Sequence, residues 1–175
     1  MLKPGDSAPP FDLPCASGDR SERLALRQIA SEMLVLFFYP RDFSFICPTE
    51  VTGFNKALQS FEEVKCALVG ISIDDVDTHL KWAAELGGIG YPLASDVDGK
   101  IARAFGVFDQ AEKVALRATF VMRKDRAVLH ANACPLNVGR SVADTLRVVQ
   151  AISTGQMCPA EWQPGVEFGP ADQKF

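Results

Sequence analysis

The groups best suited to chemistry in this chain are its five cysteines, at positions 15, 47, 66, 134 and 158. No two of them form a Cys-x-x-Cys pair, and the only histidines, His79 and His130, stand at no zinc spacing from them. A structural zinc site and a disulfide framework are therefore both disfavoured, and each thiol has to be weighed by itself. Cys47 stands out because Pro48 fits the first position of a helix. Free backbone N–H groups and the positive end of the helix dipole at that point favour a thiolate over a thiol. Since an ordinary cysteine is already a few per cent thiolate at neutral pH, complete ionisation gains only about thirtyfold. Any larger acceleration must come from positioning an electrophile and stabilising the charge on its leaving group. Ser44 offers a hydroxyl three residues earlier, and Pro40 stiffens the turn that carries both. The competing reading is an inert helix-start cysteine packed under Phe43 and Phe45.

The elements that would hold Cys47 can be read from periodicity. Met33 to Tyr39 is a continuous apolar run ended by Pro40, the pattern of a strand buried on both faces. From Pro48 to Phe61, Val51, Phe54, Leu58 and Phe61 recur at steps of three and four, which predicts a helix. Cys66 to Ile73 reads as a second buried strand, so residues 33 to 73 form a βαβ unit with parallel strands. A helix from Asp75 to Leu86, the turn Gly87-Gly-Ile-Gly90 and a short helix from Lys100 to Phe105 follow. Leu116 to Met122 and Val128 to Ala133 read as an antiparallel hairpin, and Arg140 to Ser153 as a last helix stopped by Gly155. Residues 1 to 21 read as an extended lead-in. The order predicts an α/β protein of the thioredoxin-like class, a mixed sheet flanked by helices, with a domain over 1–155 and a tail over 156–175. Cys47 would lie just past the C-terminal end of a central strand, where α/β proteins keep their sites.

Composition narrows the function classes. The 175 residues are 47% hydrophobic and carry a formal charge of −4, so the chain can fill one core and has no basic excess to draw it to nucleic acid. Its longest apolar run is far short of the ~20 residues that span a bilayer, which predicts no membrane partner. The N-terminal residues lack a basic and an apolar signal region, and the expected location is the cytoplasm. Cys66 is expected to be a core thiol and Cys15 an exposed or half-buried one. His79 and His130 are expected to be ordinary surface residues, and Trp82 to serve packing.

The segment Phe37-Phe-Tyr-Pro40-Arg-Asp-Phe-Ser44-Phe-Ile-Cys47-Pro-Thr-Glu50 closely resembles the active-site signature of the peroxiredoxins. Met157-Cys158-Pro-Ala-Glu-Trp162-Gln-Pro-Gly165 resembles the resolving-cysteine motif of the typical two-cysteine members. Val138 to Ala151, Thr78-His-Leu-Lys-Trp82 and the strand with Arg117 and Phe120 match as well, so the resemblance covers nearly the whole chain. It implies a thiol peroxidase that needs no cofactor or metal and reduces hydrogen peroxide and alkyl hydroperoxides. Cys47 would be the nucleophile and become a sulfenic acid, Ser44 would hold the peroxide, and Pro40 would exclude water. Arg117 would stabilise both thiolate and departing oxygen, with Glu50 and Arg140 orienting it. Cys158 would then condense with the sulfenic acid, and thioredoxin or a flavoprotein disulfide reductase would open the disulfide. The same resemblance permits a chaperone-like holdase or thiol relay on this scaffold.

Topology adds an expectation about assembly. The helix over 140–153 leads away from the Cys47 end by ~21 Å, and five extended residues after it recover at most ~17 Å. Cys158 is thus expected to meet the Cys47 of another subunit, in a homodimer or a ring of dimers. Cys134, placed at the Cys47 end of its own subunit, is the rival. Two further departures from the family pattern are a short segment after Gly90 and a tail ending Asp172-Gln-Lys-Phe175 without a Tyr-Phe pair, from which little sulfinic Cys47 is expected in moderate peroxide.

Overall fold

Every residue of strand β3 (Met33–Phe38) is buried, as its apolar run requires, and β3 lies inside a seven-stranded sheet. The computed structural model describes residues 1–170, so the chain's final residues and their missing Tyr-Phe pair lie outside the described part. In chain order the elements are β1 (Asp12–Ser17), β2 (Arg20–Ala25), β3, α1 (Cys47–Glu63), β4 (Cys66–Ser72), α2 (Val76–Glu85) and β5 (Leu93–Ser95). Next come α3 (Lys100–Ala104), β6 (Phe108–Asp109), β7 (Val114–Ala115), β8 (Arg117–Arg123), β9 (Val128–Cys134) and α4 (Val142–Thr154). The sheet order is β2-β1-β5-β4-β3-β8-β9, and β6 and β7 form a separate small ladder.

β3 pairs in parallel with β4, and β4 with β5, the geometry expected of a βαβ crossover. β8 runs antiparallel to β3 with Met33 opposite Arg123, which brings Arg117 to the end of the sheet where β3 delivers the chain toward Cys47. β9 returns antiparallel to β8, with Cys134 directly opposite Arg117. The inward stripes of α1, α2 and α4 cover one sheet face, over Val35, Phe37, Leu68 and Val121. α3 and the N-terminal residues Ala8 and Phe11 cover the other, over Leu36, Phe38, Ile71 and Phe120. The mixed sheet flanked by helices is the expected thioredoxin-like class.

Two expectations about the first 25 residues are corrected. The supposed lead-in contains the β1–β2 hairpin, which adds to the sheet through β5. Cys15 on β1 is fully buried, because it points into the sheet face that Ala8, Phe11 and α3 cover rather than into solvent. Its polar, Pro14-containing sequence reads poorly as a strand, since proline and charge are tolerated mainly at sheet edges. His79 is also corrected: it is completely buried, on the same α2 face as Trp82 and Ala83. Cys66 and Trp82 are core residues as expected, with burial pushing the Cys66 thiol up to about 12. His130 is half-buried on β9 rather than on the open surface.

Candidate active site

Cys47 begins α1 directly beyond β3, and its side chain is 0% exposed. The Arg117 Nη1 donates to Cys47 Sγ at 3.3 Å and to Glu50 Oε2 at 2.8 Å, while its Nε donates to the Leu136 carbonyl at 2.8 Å. Glu50, one turn along α1, is held from the other side by Arg140. The Arg140 backbone N–H and Nε both reach Glu50 Oε1, at 2.8 and 3.0 Å, and Nη2 reaches Oε2 at 3.2 Å. The remaining donors of Arg140 are bound by the carbonyls of Ala118 and Phe38 and by Thr119 Oγ1. Arg140 is therefore locked to the ends of β3 and β8, and Glu50 passes that rigidity to Arg117.

Two guanidiniums face one carboxylate in this buried cluster, leaving one positive charge in excess. The Arg117 N–H···Sγ bond aims that excess charge at Cys47, where it can meet negative charge developing on the sulfur. Ser44 Oγ accepts the Cys47 backbone N–H at 3.3 Å, which keeps the hydroxyl proton free to donate to a ligand beside the sulfur. Arg117 Nη2 has no partner among the described residues, which leaves its hydrogens available to a ligand. Pro40 is buried between β3 and the Ser44 loop. Cys47, Ser44, Pro40, Arg117, Glu50 and Arg140 are thus brought together at one end of the sheet. Among the described residues no cluster of His, Cys, Asp and Glu is suited to a metal ion.

Cys158 stands apart. Ile152 and Ser153 near the end of α4 lie with Met33, Val64 and Lys65, which mark the opposite end of β3 and α1. Cys158 follows there, with its Sγ 3.5 Å from Thr154 Oγ1 and 3.8 Å from the Ala151 carbonyl. The 17 residues of α1 separate the two ends by ~25 Å.

Burial by itself raises the Glu50 carboxyl, but the charges and hydrogen bonds of Arg140 and the charge of Arg117 outweigh it and hold the group below its ordinary value. Stabilisation from this carboxylate is present above the unfolded-state value and lost as pH falls through the lower folded-state value. Glu50→Gln leaves two buried guanidiniums without their counter-charge, and the expected cost is about 3–5 kcal/mol of stability at pH 7. Urea unfolding measures this; a loss below about 1 kcal/mol would mean that the cluster is solvated.

A polar group invisible at the sequence level also fixes the loop carrying Ser44. Asp42 Oδ2 lies 2.7 Å from His79 Nδ1, Asp42 Oδ1 accepts from the Tyr39 hydroxyl at 2.9 Å, and the Asp42 N–H donates to Asp74 Oδ2 at 2.8 Å. Burial drives the Asp42 carboxyl up, while the His79 bond pulls it down. The available signal was that Tyr39 and Asp42 close a buried strand and need partners.

The comparisons with known proteins decide the family. The AhpC/TSA family profile matches residues 4–131. A putative peroxiredoxin of Bacillus subtilis, YkuU, is 42% identical over 75% of this chain and 76% of its own. The chain belongs to the AhpC/TSA family of peroxiredoxins. The chloroplastic 2-Cys peroxiredoxin BAS1 of Spinacia oleracea is 36% identical over 98% of this peroxiredoxin and 69% of its own length. The reduced 2-Cys peroxiredoxin of Plasmodium vivax superposes with a TM-score of 0.88 at 34% identity, covering 96% of this chain and 93% of that one. Mycobacterium tuberculosis AhpC does so with 0.84 at 29% identity, covering 93% and 99%. This peroxiredoxin is accordingly a thiol peroxidase, an oxidoreductase on a thioredoxin-like fold.

Proposed function

We propose that the enzyme reduces hydrogen peroxide and small alkyl hydroperoxides at Cys47 and completes each cycle with a disulfide to Cys158 of a second subunit. The observation that carries this reading is the 3.3 Å bond from Arg117 to Cys47 Sγ inside a buried cluster with one positive charge to spare. A peroxide enters with one oxygen near Ser44 Oγ and Arg117 Nη2. The Cys47 thiolate attacks that oxygen, the O–O bond breaks, and the departing hydroxide or alkoxide is stabilised by the guanidinium and takes a proton. Cys47 is left as a sulfenic acid. Pro40 and the closed loop keep water away from the sulfur while the bond breaks.

Resolution requires the second thiol to come close, because a disulfide needs Cα atoms about 4.4–6.8 Å apart. The ~25 Å between the two ends of α1 argues against the enzyme's own Cys158. A partner subunit supplies the thiol instead, and a dithiol reductant, thioredoxin or a flavoprotein disulfide reductase, reopens the bond. The five free thiols fit a reducing compartment, the cytoplasm in this reading. Opening is local. α1 has no side-chain cap at Ile46, Phe43 sits at a left-handed φ of 52°, and the Phe45 ring is 94% exposed, so its first turn has little to hold it once Sγ leaves Arg117.

Oxidation with one equivalent of hydrogen peroxide is expected to give a covalent dimer of twice 19.0 kDa on a non-reducing gel, absent in Cys158→Ser. Wild-type protein that stays monomeric with Cys158 still a free thiol would contradict the two-subunit cycle.

A further inference from the structure

We propose that Cys134 is a second resolving thiol, which forms a disulfide with Cys47 of its own subunit when no partner Cys158 reaches the sulfenic acid. The inference rests on the peroxidase reading of Cys47 and adds a residue that this reading does not use.

Cys134 ends β9 directly opposite Arg117 at the start of β8. Residues directly opposite in an antiparallel pair project from the same face, with Cα atoms about 5 Å apart. For Arg117 that face is the α1 face, since its guanidinium reaches Cys47 and Glu50. The same face continues in the pairs Thr119 with Asn132 and Val121 with His130, and Thr119 and Val121 lie beneath Arg140 and α1. Cys134 therefore stands beside the backbone of the arginine whose side chain reaches Cys47, and the two thiols come into disulfide range when the first turn of α1 unwinds.

The chain after Cys134 stays against the first turn of α1. The Leu136 carbonyl accepts from Arg117 Nε, a Cβ on Gly139 would lie 3.2 Å from Ile46 Cγ2, and the Arg140 N–H is bound to Glu50. Residues 134–140 thus border the segment that must unwind for Cys47 to leave its buried position. Cys134 is half-buried and free, while Pro135, Asn137 and Val138 next to it are exposed. Neither of the other unassigned cysteines competes. Cys15 belongs to the core on the opposite sheet face, and Cys66 pairs with Met33 at the far end of β3.

In the step itself the Cys134 thiol gives up its proton and its sulfur attacks the sulfenic sulfur of Cys47. The S–S bond forms, the S–O bond breaks, and hydroxide leaves and takes the proton as water. The only oxidant is the peroxide already consumed. Such a bond protects Cys47 from a second oxidation in a subunit whose partner tail is displaced, and it leaves the chain monomeric on a gel.

The test uses the full chain carrying Cys158→Ser. After one equivalent of hydrogen peroxide and thiol blocking, digestion without reductant is expected to yield a Cys47–Cys134 linked peptide from monomeric protein. Adding Cys134→Ser removes that peptide and lengthens the lifetime of dimedone-reactive Cys47 sulfenate at least tenfold. Cys134→Ala in the same background gives the same result, separating the thiol's chemistry from the side chain's packing. Equal sulfenate lifetimes with and without Cys134, or a Cys47 disulfide to Cys15 or Cys66, would overturn the proposal. If no variant forms a Cys47 sulfenate, the peroxidase reading beneath it fails, an outcome distinct from a sulfenate that forms and ignores Cys134.

Discussion

Cys47→Ser protein is expected to consume no peroxide, while Cys158→Ser protein takes up its first peroxide per subunit as fast as wild type. The difference follows from where the two thiols stand. Cys47 Sγ is the atom bonded to Arg117 at the start of α1, whereas Cys158 sits at the other end of α4 against Thr154 and the Ala151 carbonyl. A serine at position 47 keeps nearly the same volume in a fully buried place but supplies no thiolate, so the variant should fold and fail chemically. Stopped-flow mixing with hydrogen peroxide separates the fast oxidation from later resolution. Equal residual peroxide uptake in the two variants would show that the nucleophile and resolver have been assigned wrongly.

Arg117→Ala is expected to slow oxidation of Cys47 by a hundredfold or more, about 3 kcal/mol of transition-state stabilisation. In the proposed reaction the same side chain acts at three points. It holds the thiolate before attack, it supplies the unpartnered Nη2 to the peroxide, and it faces the oxygen that acquires charge as the O–O bond breaks. Arg117→Lys recovers only part of the rate, because an ammonium cannot contact Sγ, Glu50 and the Leu136 carbonyl in one plane. The second-order rate of sulfenate formation is the quantity to measure, since it excludes effects on resolution. A change within threefold for Arg117→Ala would mean that the arginine is a structural residue.

What could be read from the sequence depended on how strongly each segment is patterned. β3, α1, β4, the β8–β9 hairpin and α4 have long apolar periods and were recognisable, with boundaries within about two residues. The β1–β2 hairpin, three-residue β5 and the β6–β7 ladder were not, because short or polar edge strands carry almost no period. Helix-start chemistry alone singled out Cys47 and Ser44 as candidates but left an inert packed cysteine equally open. Arg117, Glu50 and Arg140 were not, because their partners lie 67 to 90 positions apart and only the fold closes that distance. The family resemblance supplied them. His79 was misread because its helix carries charged neighbours at Asp77 and Lys81, and only the position of α2 over the sheet turns its face inward onto Asp42.

The central claim is that the sulfur oxidised by peroxide is that of Cys47. Peptide mapping of the chain carrying both Cys134→Ser and Cys158→Ser, after one equivalent of hydrogen peroxide in excess dimedone, tests it most directly. The account predicts the sulfenic-acid label on Cys47, with Cys15 and Cys66 left as free thiols. Label on another cysteine while Cys47 remains a free thiol would contradict it.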